Sequence, residues 1–256
     1  MPIKTNLKSL APRREQYRKE ITLLSHGYTN PKAWPDGRIT VYPWDNEIDQ
    51  WLVDNARRLS KLDLFYGLVA KCCNLNGGSV DDLIADEVTT ILLVSKALAS
   101  DCIIQYTSVC PHCGNKTEEK IKVPDELEKI GEKSADYPGY DLITLPIVKD
   151  VVAIRPLTVR DEKEIFNRPE HSKRLYSDIE IRTLLRVVHI NETKPDTLDE
   201  LVTWYRALHA TDAKFLERQG QLITPHLNTD IVHVCEDPAC GREFKHTLTF
   251  DQDFFR

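Results

Sequence analysis

Ile103-Ile-Gln-Tyr-Thr-Ser-Val-Cys-Pro-His-Cys-Gly-Asn-Lys-Thr-Glu-Glu-Lys-Ile-Lys-Val123 decides how this chain reads. Two strand-like runs, Ile103 to Val109 and Lys120 to Val123, flank the motif Cys110-Pro-His-Cys113-Gly114. The arrangement returns after 121 intervening residues. There Asp230-Ile-Val-His-Val234 leads into Cys235-Glu-Asp-Pro-Ala-Cys240-Gly241, and Phe244-Lys-His-Thr-Leu-Thr-Phe250 leads out. Each cysteine pair therefore caps a β-hairpin as a rubredoxin-like knuckle. The glycine after the last thiol permits positive φ, which turns backbone N–H groups toward the sulfurs.

Four thiolates from two such hairpins enclose a tetrahedral Zn²⁺, with Zn–S of ~2.3 Å and no position left for water. The expected ligands are Cys110, Cys113, Cys235 and Cys240, holding one structural zinc. A deaminase-type zinc keeps one site for water, so the four-cysteine set does not read as catalytic. The long spacer exceeds that of an ordinary zinc ribbon, so the ribbon must be split by an insertion. His112, His233 and His246 flank the knuckles and read as exposed hairpin positions.

Composition sets the frame. The 256 residues are 41% hydrophobic and 29% charged, ordinary for a globular protein with ample core. A net charge of −6 argues against wrapping nucleic-acid backbone, which needs a basic surface. No run approaches the roughly 18 apolar residues of a membrane span. The opening Met1-Pro-Ile-Lys lacks the apolar run of a secretory signal. Seven cysteines, two of them adjacent, fit metal-bound thiolates in a reducing compartment better than a disulfide framework. Cys72, Cys73 and Cys102 lie in apolar sequence and read as small buried hydrophobes.

The expected fold class is α+β, mainly helical, with the split zinc ribbon formed by two β-hairpins. Residues 1–20 form a basic N-terminal arm. Residues 21–109 form a β/helical part leading into the first zinc hairpin. Residues 110–123 with 230–250 make the ribbon, 124–229 a mostly helical insertion, and 251–256 a C-terminal tail. Within the first part, helices are expected from Pro43, over Leu62 to Cys73, and from a Ser79/Asp82 capping signal through Leu98. Asp81, Asp82, Asp86 and Glu87 then complement the dipole of that last helix. In the insertion, helices are expected over 125–133, 172–190 and 197–209 and near 211–220, with a hairpin of 142–146 and 151–155. Leu175, Ile179, Leu184, Leu185 and Val188 mark the inward face of the helix over 172–190.

No catalytic constellation emerges. Asn76-Gly-Gly-Ser79 lacks the lysine and spacing of a phosphate loop, and neither a His-Glu-x-x-His nor a Gly-x-Ser-x-Gly motif occurs. The aromatics admit two readings: Trp34, Trp44, Trp51 and Trp204 read as packing anchors, and the rings near the C-terminus either fold back on the ribbon or anchor into a partner. Phe254 and Phe255, and the loop around Trp34, are the candidate partner-binding residues.

The order of these features resembles the baseplate hub or hub-assembly family of T4-related, contractile-tailed bacteriophages. Leu23-Leu-Ser-His-Gly-Tyr28 precedes Gly37-Arg-Ile-Thr-Val-Tyr-Pro43. Asp82-Leu-Ile-Ala-Asp86 then leads into Cys110-Pro-His-Cys113. Leu145-Pro146 is followed by Arg155-Pro-Leu-Thr-Val-Arg-Asp161, and Cys235, Cys240 and Asp253-Phe-Phe255 close the series. The chain departs from the pattern at Leu24, where the family carries proline, and in its Cys-x4-Cys knuckle. The resemblance implies a non-enzymatic virion or assembly component, made in the host cytoplasm and placed in the tail baseplate. Its partners would be other tail proteins, or further copies of itself. A nucleic-acid-binding zinc-ribbon protein is the rival reading, because Lys116, Lys120, Lys122, Arg242 and Lys245 lie near the knuckles; an enzyme with a structural zinc ranks below it.

Overall fold

Asp45 starts the first helix, α1 (Asn46–Asn55), by accepting the amides of Glu47 and Ile48 through its carboxylate. Such caps satisfy N–H groups that have no partner inside a helix. Ser60 does the same for α2 (Lys61–Cys72). The computed structural model describes residues 17–100, 102–169 and 175–250. Within these, the chain is a mixed α and β protein with seven α-helices and several small antiparallel sheets.

The first unit packs α1, α2 and α3 (Glu87–Ala99) against a sheet of β1 (Lys19–Thr22), β2 (Arg38–Val41) and β3 (Cys73–Asn74). Ile39, Ile48, Val69, Val88, Ile91 and Leu92 are fully buried there. Cys72 and Cys73 are buried in the same core and Cys102 is half-buried against it, as their apolar neighbours implied. The Ser79/Asp82 capping box forms, but it opens only a single 3-10 turn, Val80–Asp82. Leu83 and Ile84 then bridge to the segment before the helix that starts at Val159, with Val159 N–H donating to Leu83 O (2.9 Å) and Ala85 N–H to Leu157 O (3.1 Å). That pairing delays α3 to Glu87.

The first cysteine hairpin follows as β4 (Ile103–Val109) and β5 (Lys116–Lys122). The expected helix over 125–133 is absent. A turn closes with Glu126 N–H on Lys122 O, and Lys129–Ile130 forms β6, with Gly131 at φ 67° immediately after. Strand β6 pairs with β10 (His226–Leu227), and Asn228 N–H donates to Glu128 O at 2.7 Å. The two ends of residues 124–229 are thereby joined, next to the second hairpin of β11 (Asp230–Val234) and β12 (Glu243–Thr247).

Between those ends lies a sheet of β7 (Asp141–Thr144), β8 (Val151–Ile154) and β9 (Val187–Ile190), with α4 (Val159–Phe166), α5 (Asp178–Arg186), α6 (Leu198–Ala207) and α7 (Ala210–Leu222). The helix expected to continue to 190 stops at Arg186. The β-branched Val187, Val188 and Ile190 fit a pleated strand, and β9 finds a partner in β8. Leu175 and Ile179, expected to face inward, are each 60% exposed. Leu184 is buried as expected and Ile181 joins it, while Leu175 lies ahead of the helix, which begins only behind the Ser177 cap. Residues 172–174 lie outside the described residues.

Acidic residues of the first unit meet basic ones of the second. Asp82 pairs with Arg160 at 2.8 Å and Asp81 with Lys163 at 2.6 Å. Glu87 has a more specific place: it is buried, and its two carboxylate oxygens accept the amides of Ser25 (2.7 Å) and Ile84 (3.1 Å). These contacts, rather than the dipole of one long helix, account for most of the acidic run.

Candidate metal centre

The four motif cysteines come together. Their sulfurs all lie within 4.8 Å of one another, although Cys113 and Cys235 are far apart in sequence. Each knuckle grows out of its hairpin. Cys110 N–H donates to Asn115 O at 2.9 Å, and Gly114, at φ 77°, returns its amide to Cys110 O. The amides of His112 and Cys113 point at the Cys110 sulfur, and that of Asn115 at the Cys113 sulfur.

The second knuckle reaches the same result with two more residues. Cys235 N–H donates to Arg242 O at 3.0 Å, and the Asp237 amide faces the Cys235 sulfur. Asp237 braces the longer turn: its carboxylate accepts the Ala239 amide at 2.9 Å, and its carbonyl accepts those of Cys240 and Gly241. Gly241 sits at φ 55°, the conformation its position required.

Two sulfur pairs make direct contact, Cys113 with Cys235 at 3.4 Å and Cys110 with Cys240 at 3.8 Å. Neither is a disulfide, whose sulfurs lie ~2.05 Å apart. A tetrahedron with ~2.3 Å metal–sulfur bonds has edges of about 3.8 Å, so the donor set fits a small thiophilic cation. Burial opposes ionisation of Cys110, but the two amides and neighbouring thiols outweigh it and bring its pKa down to about 7. The Asn115 amide favours a Cys113 thiolate, yet local desolvation and the three adjacent sulfurs push that pKa up to about 12. Burial also pushes Cys235 up. Crowded thiols that resist joint ionisation are relieved by a shared cation, and this set can hold one metal ion.

The hairpins also touch through side chains below the knuckles. His233 and His246 are half-buried between them, not exposed as expected. Tyr106 of β4 stacks on His246 at 4.8 Å between ring centroids, and its hydroxyl lies 3.2 Å from His233 Nε2. Glu119, opposite Tyr106 on β5, reaches His233 Nδ1 at 3.3 Å. The alternation Ile104, Tyr106, Ser108 marks this inward face, a signal overshadowed in the sequence by the cysteines. His112 is exposed.

Trp34 corrects an expectation. It is 1% exposed, its Nε1–H donates to Leu75 O at 2.7 Å, and a β-carbon added at Gly78 would come within 2.4 Å of its ring. The ring is part of the core and offers no surface anchor. Phe254 and Phe255 lie outside the described residues. No helix among the described residues is long and apolar enough to cross a membrane. Comparison with protein-family models, with curated proteins and with solved structures finds no match, so the site is read from its own chemistry.

Proposed function

We propose that this chain is a structural or assembly component of a phage tail baseplate, in the hub region, organised by one structural Zn²⁺ on Cys110, Cys113, Cys235 and Cys240. The observation that carries the reading is the convergence of four thiols from two hairpins far apart in sequence. A metal there closes the chain into a rigid clasp and has no open position for a substrate. The motif order that resembles the baseplate family supplies the biological setting: the virion tail, reached through assembly in the host cytoplasm.

In this reading the work is done by surfaces. The hairpins present Ile103, Val109, Val232 and Val234 to solvent, each about half exposed or more. The tail at Phe254 and Phe255 adds aromatic anchors of the kind that dominate interfaces. Co-expression with the baseplate proteins of the same phage tests it: a stable complex is expected, and a chain that joins none of them refutes it. Complementation of a null phage with a gene lacking Phe254 to Arg256 tests the tail. Normal zinc content with defective tails is expected; normal titres would remove the C-terminus from the interface.

Lys116, Lys120 and Lys122 on the outward face of β5 favour the second reading, binding of nucleic acid. Glu118 interrupts that row and Asp125 lies 3.4 Å from Lys122, which weakens it. A salt-sensitive mobility shift with DNA or RNA would bring it forward.

A further inference from the structure

We infer that the four-cysteine site is also a peroxide-sensitive clasp, in which oxidation replaces the metal with two disulfides that run from hairpin to hairpin. The inference rests on the zinc reading above and adds to it a regulated state. Its basis is the pairing of the sulfurs. Cys113 lies 3.4 Å from Cys235 and Cys110 lies 3.8 Å from Cys240, both contacts joining one hairpin to the other, while Cys110 with Cys113 and Cys235 with Cys240 also meet within their own knuckles. Exposure separates the four as well: Cys113 is exposed, Cys240 is half-buried, and Cys110 and Cys235 are buried. An oxidant from solvent therefore meets Cys113 first.

The chemistry balances with a peroxide as the oxidant. The Cys113 thiolate attacks one peroxide oxygen, the O–O bond breaks, and hydroxide leaves, so that sulfur becomes a sulfenic acid. The Cys235 thiolate, 3.4 Å away, attacks that sulfur and displaces a second hydroxide, forming the disulfide. Two sulfurs have each lost one electron, and the two peroxide oxygens leave as water after protonation. The metal then keeps only Cys110 and Cys240, too few to retain it, and is released. Those two thiols oxidise with a second peroxide by the same steps. Because the hairpins remain docked through Tyr106, His233 and His246, the partner sulfurs stay in register while the ion departs.

The test treats zinc-loaded full-length protein with hydrogen peroxide, follows zinc release with a chromogenic chelator, and maps disulfides by mass spectrometry without reduction. The expected result is release of the bound zinc with the Cys110/Cys113 peptide covalently joined to the Cys235/Cys240 peptide. Disulfides confined to Cys110–Cys113 and Cys235–Cys240, or sulfinic acids without any cross-link, would overturn the inference. A Cys110→Ser/Cys240→Ser variant should still form Cys113–Cys235; should it not fold, the wild-type map decides alone. The same mapping on chelator-treated protein separates the two claims. Hairpin-to-hairpin bonds in a chain that never binds zinc uphold the pairing and remove the metal. Bound zinc with bonds inside each hairpin does the reverse.

Discussion

Replacing Glu87 by glutamine should flatten the pH dependence of stability, with a size set by burial. Glu87 is 1% exposed, and burial raises its pKa from 4.5 to about 7 despite the Ser25 and Ile84 amides it accepts. Its folded-state pKa lies above its unfolded one, so the folded chain binds the extra proton. The resulting stability is fully present below about pH 4.5 and is lost as pH rises through 7. A shift of this size corresponds to about 3 kcal/mol. Wild type should therefore lose about that much between pH 5 and 8.5 relative to Glu87→Gln, measured as the difference in urea unfolding free energy. The variant also carries a constant penalty of about 1–2 kcal/mol, because its amide N–H₂ turns a donor toward either the Ser25 or the Ile84 amide. Taking the difference between the two chains cancels the remaining titrating groups. Parallel pH profiles would refute the reasoning and show that Glu87 is ionised throughout.

Trp34→Ala should cost about 3–5 kcal/mol, read as a lowered denaturation midpoint, since it removes a buried ring and leaves the Leu75 carbonyl without its indole donor. Tyr106→Ala should cost less, about 1–2 kcal/mol, because the ring is half-buried, and should speed amide exchange in β11 and β12 by loosening the docked hairpins. Asp212→Ala should free the tip of the β7–β8 hairpin. Its buried carboxylate accepts the amides of Ile147 (2.8 Å) and Val148 (3.2 Å), and losing both contacts should cost about 2–4 kcal/mol, with protease sensitivity rising at that loop.

The hairpins and their cysteines were legible because both signals are local. A Cys-Gly knuckle between strand-like runs needs no tertiary context, and β4 and β11 begin and end with the strand-like runs that precede the two cysteine pairs. The capping residue Ser79 was legible for the same reason. Long-range hydrogen bonding decided the rest. Leu83 to Ala85 left its helix for a pairing with Leu157 to Val159, and Lys129–Ile130 left an expected helix for β10. Val187 to Ile190 exchanged helix for strand once β8 was available. Trp34 failed as a surface anchor because a Pro- and Gly-rich loop reads as exposed, while Gly27 and Gly78 in fact let the chain close tightly on the Trp34 backbone and indole, and Gly37 lies against the His26 backbone. At the site, the sulfurs were legible but the face below them was not, since Tyr106, Glu119, His233 and His246 acquire meaning only when the two hairpins face each other.

Metal analysis of the protein purified without oxygen tests the central claim most directly. One zinc per chain is expected, and none in the Cys110→Ser/Cys235→Ser variant, which removes one ligand from each hairpin and leaves two thiols. A wild-type chain that is folded and free of zinc, or a double variant that keeps its zinc, would contradict it.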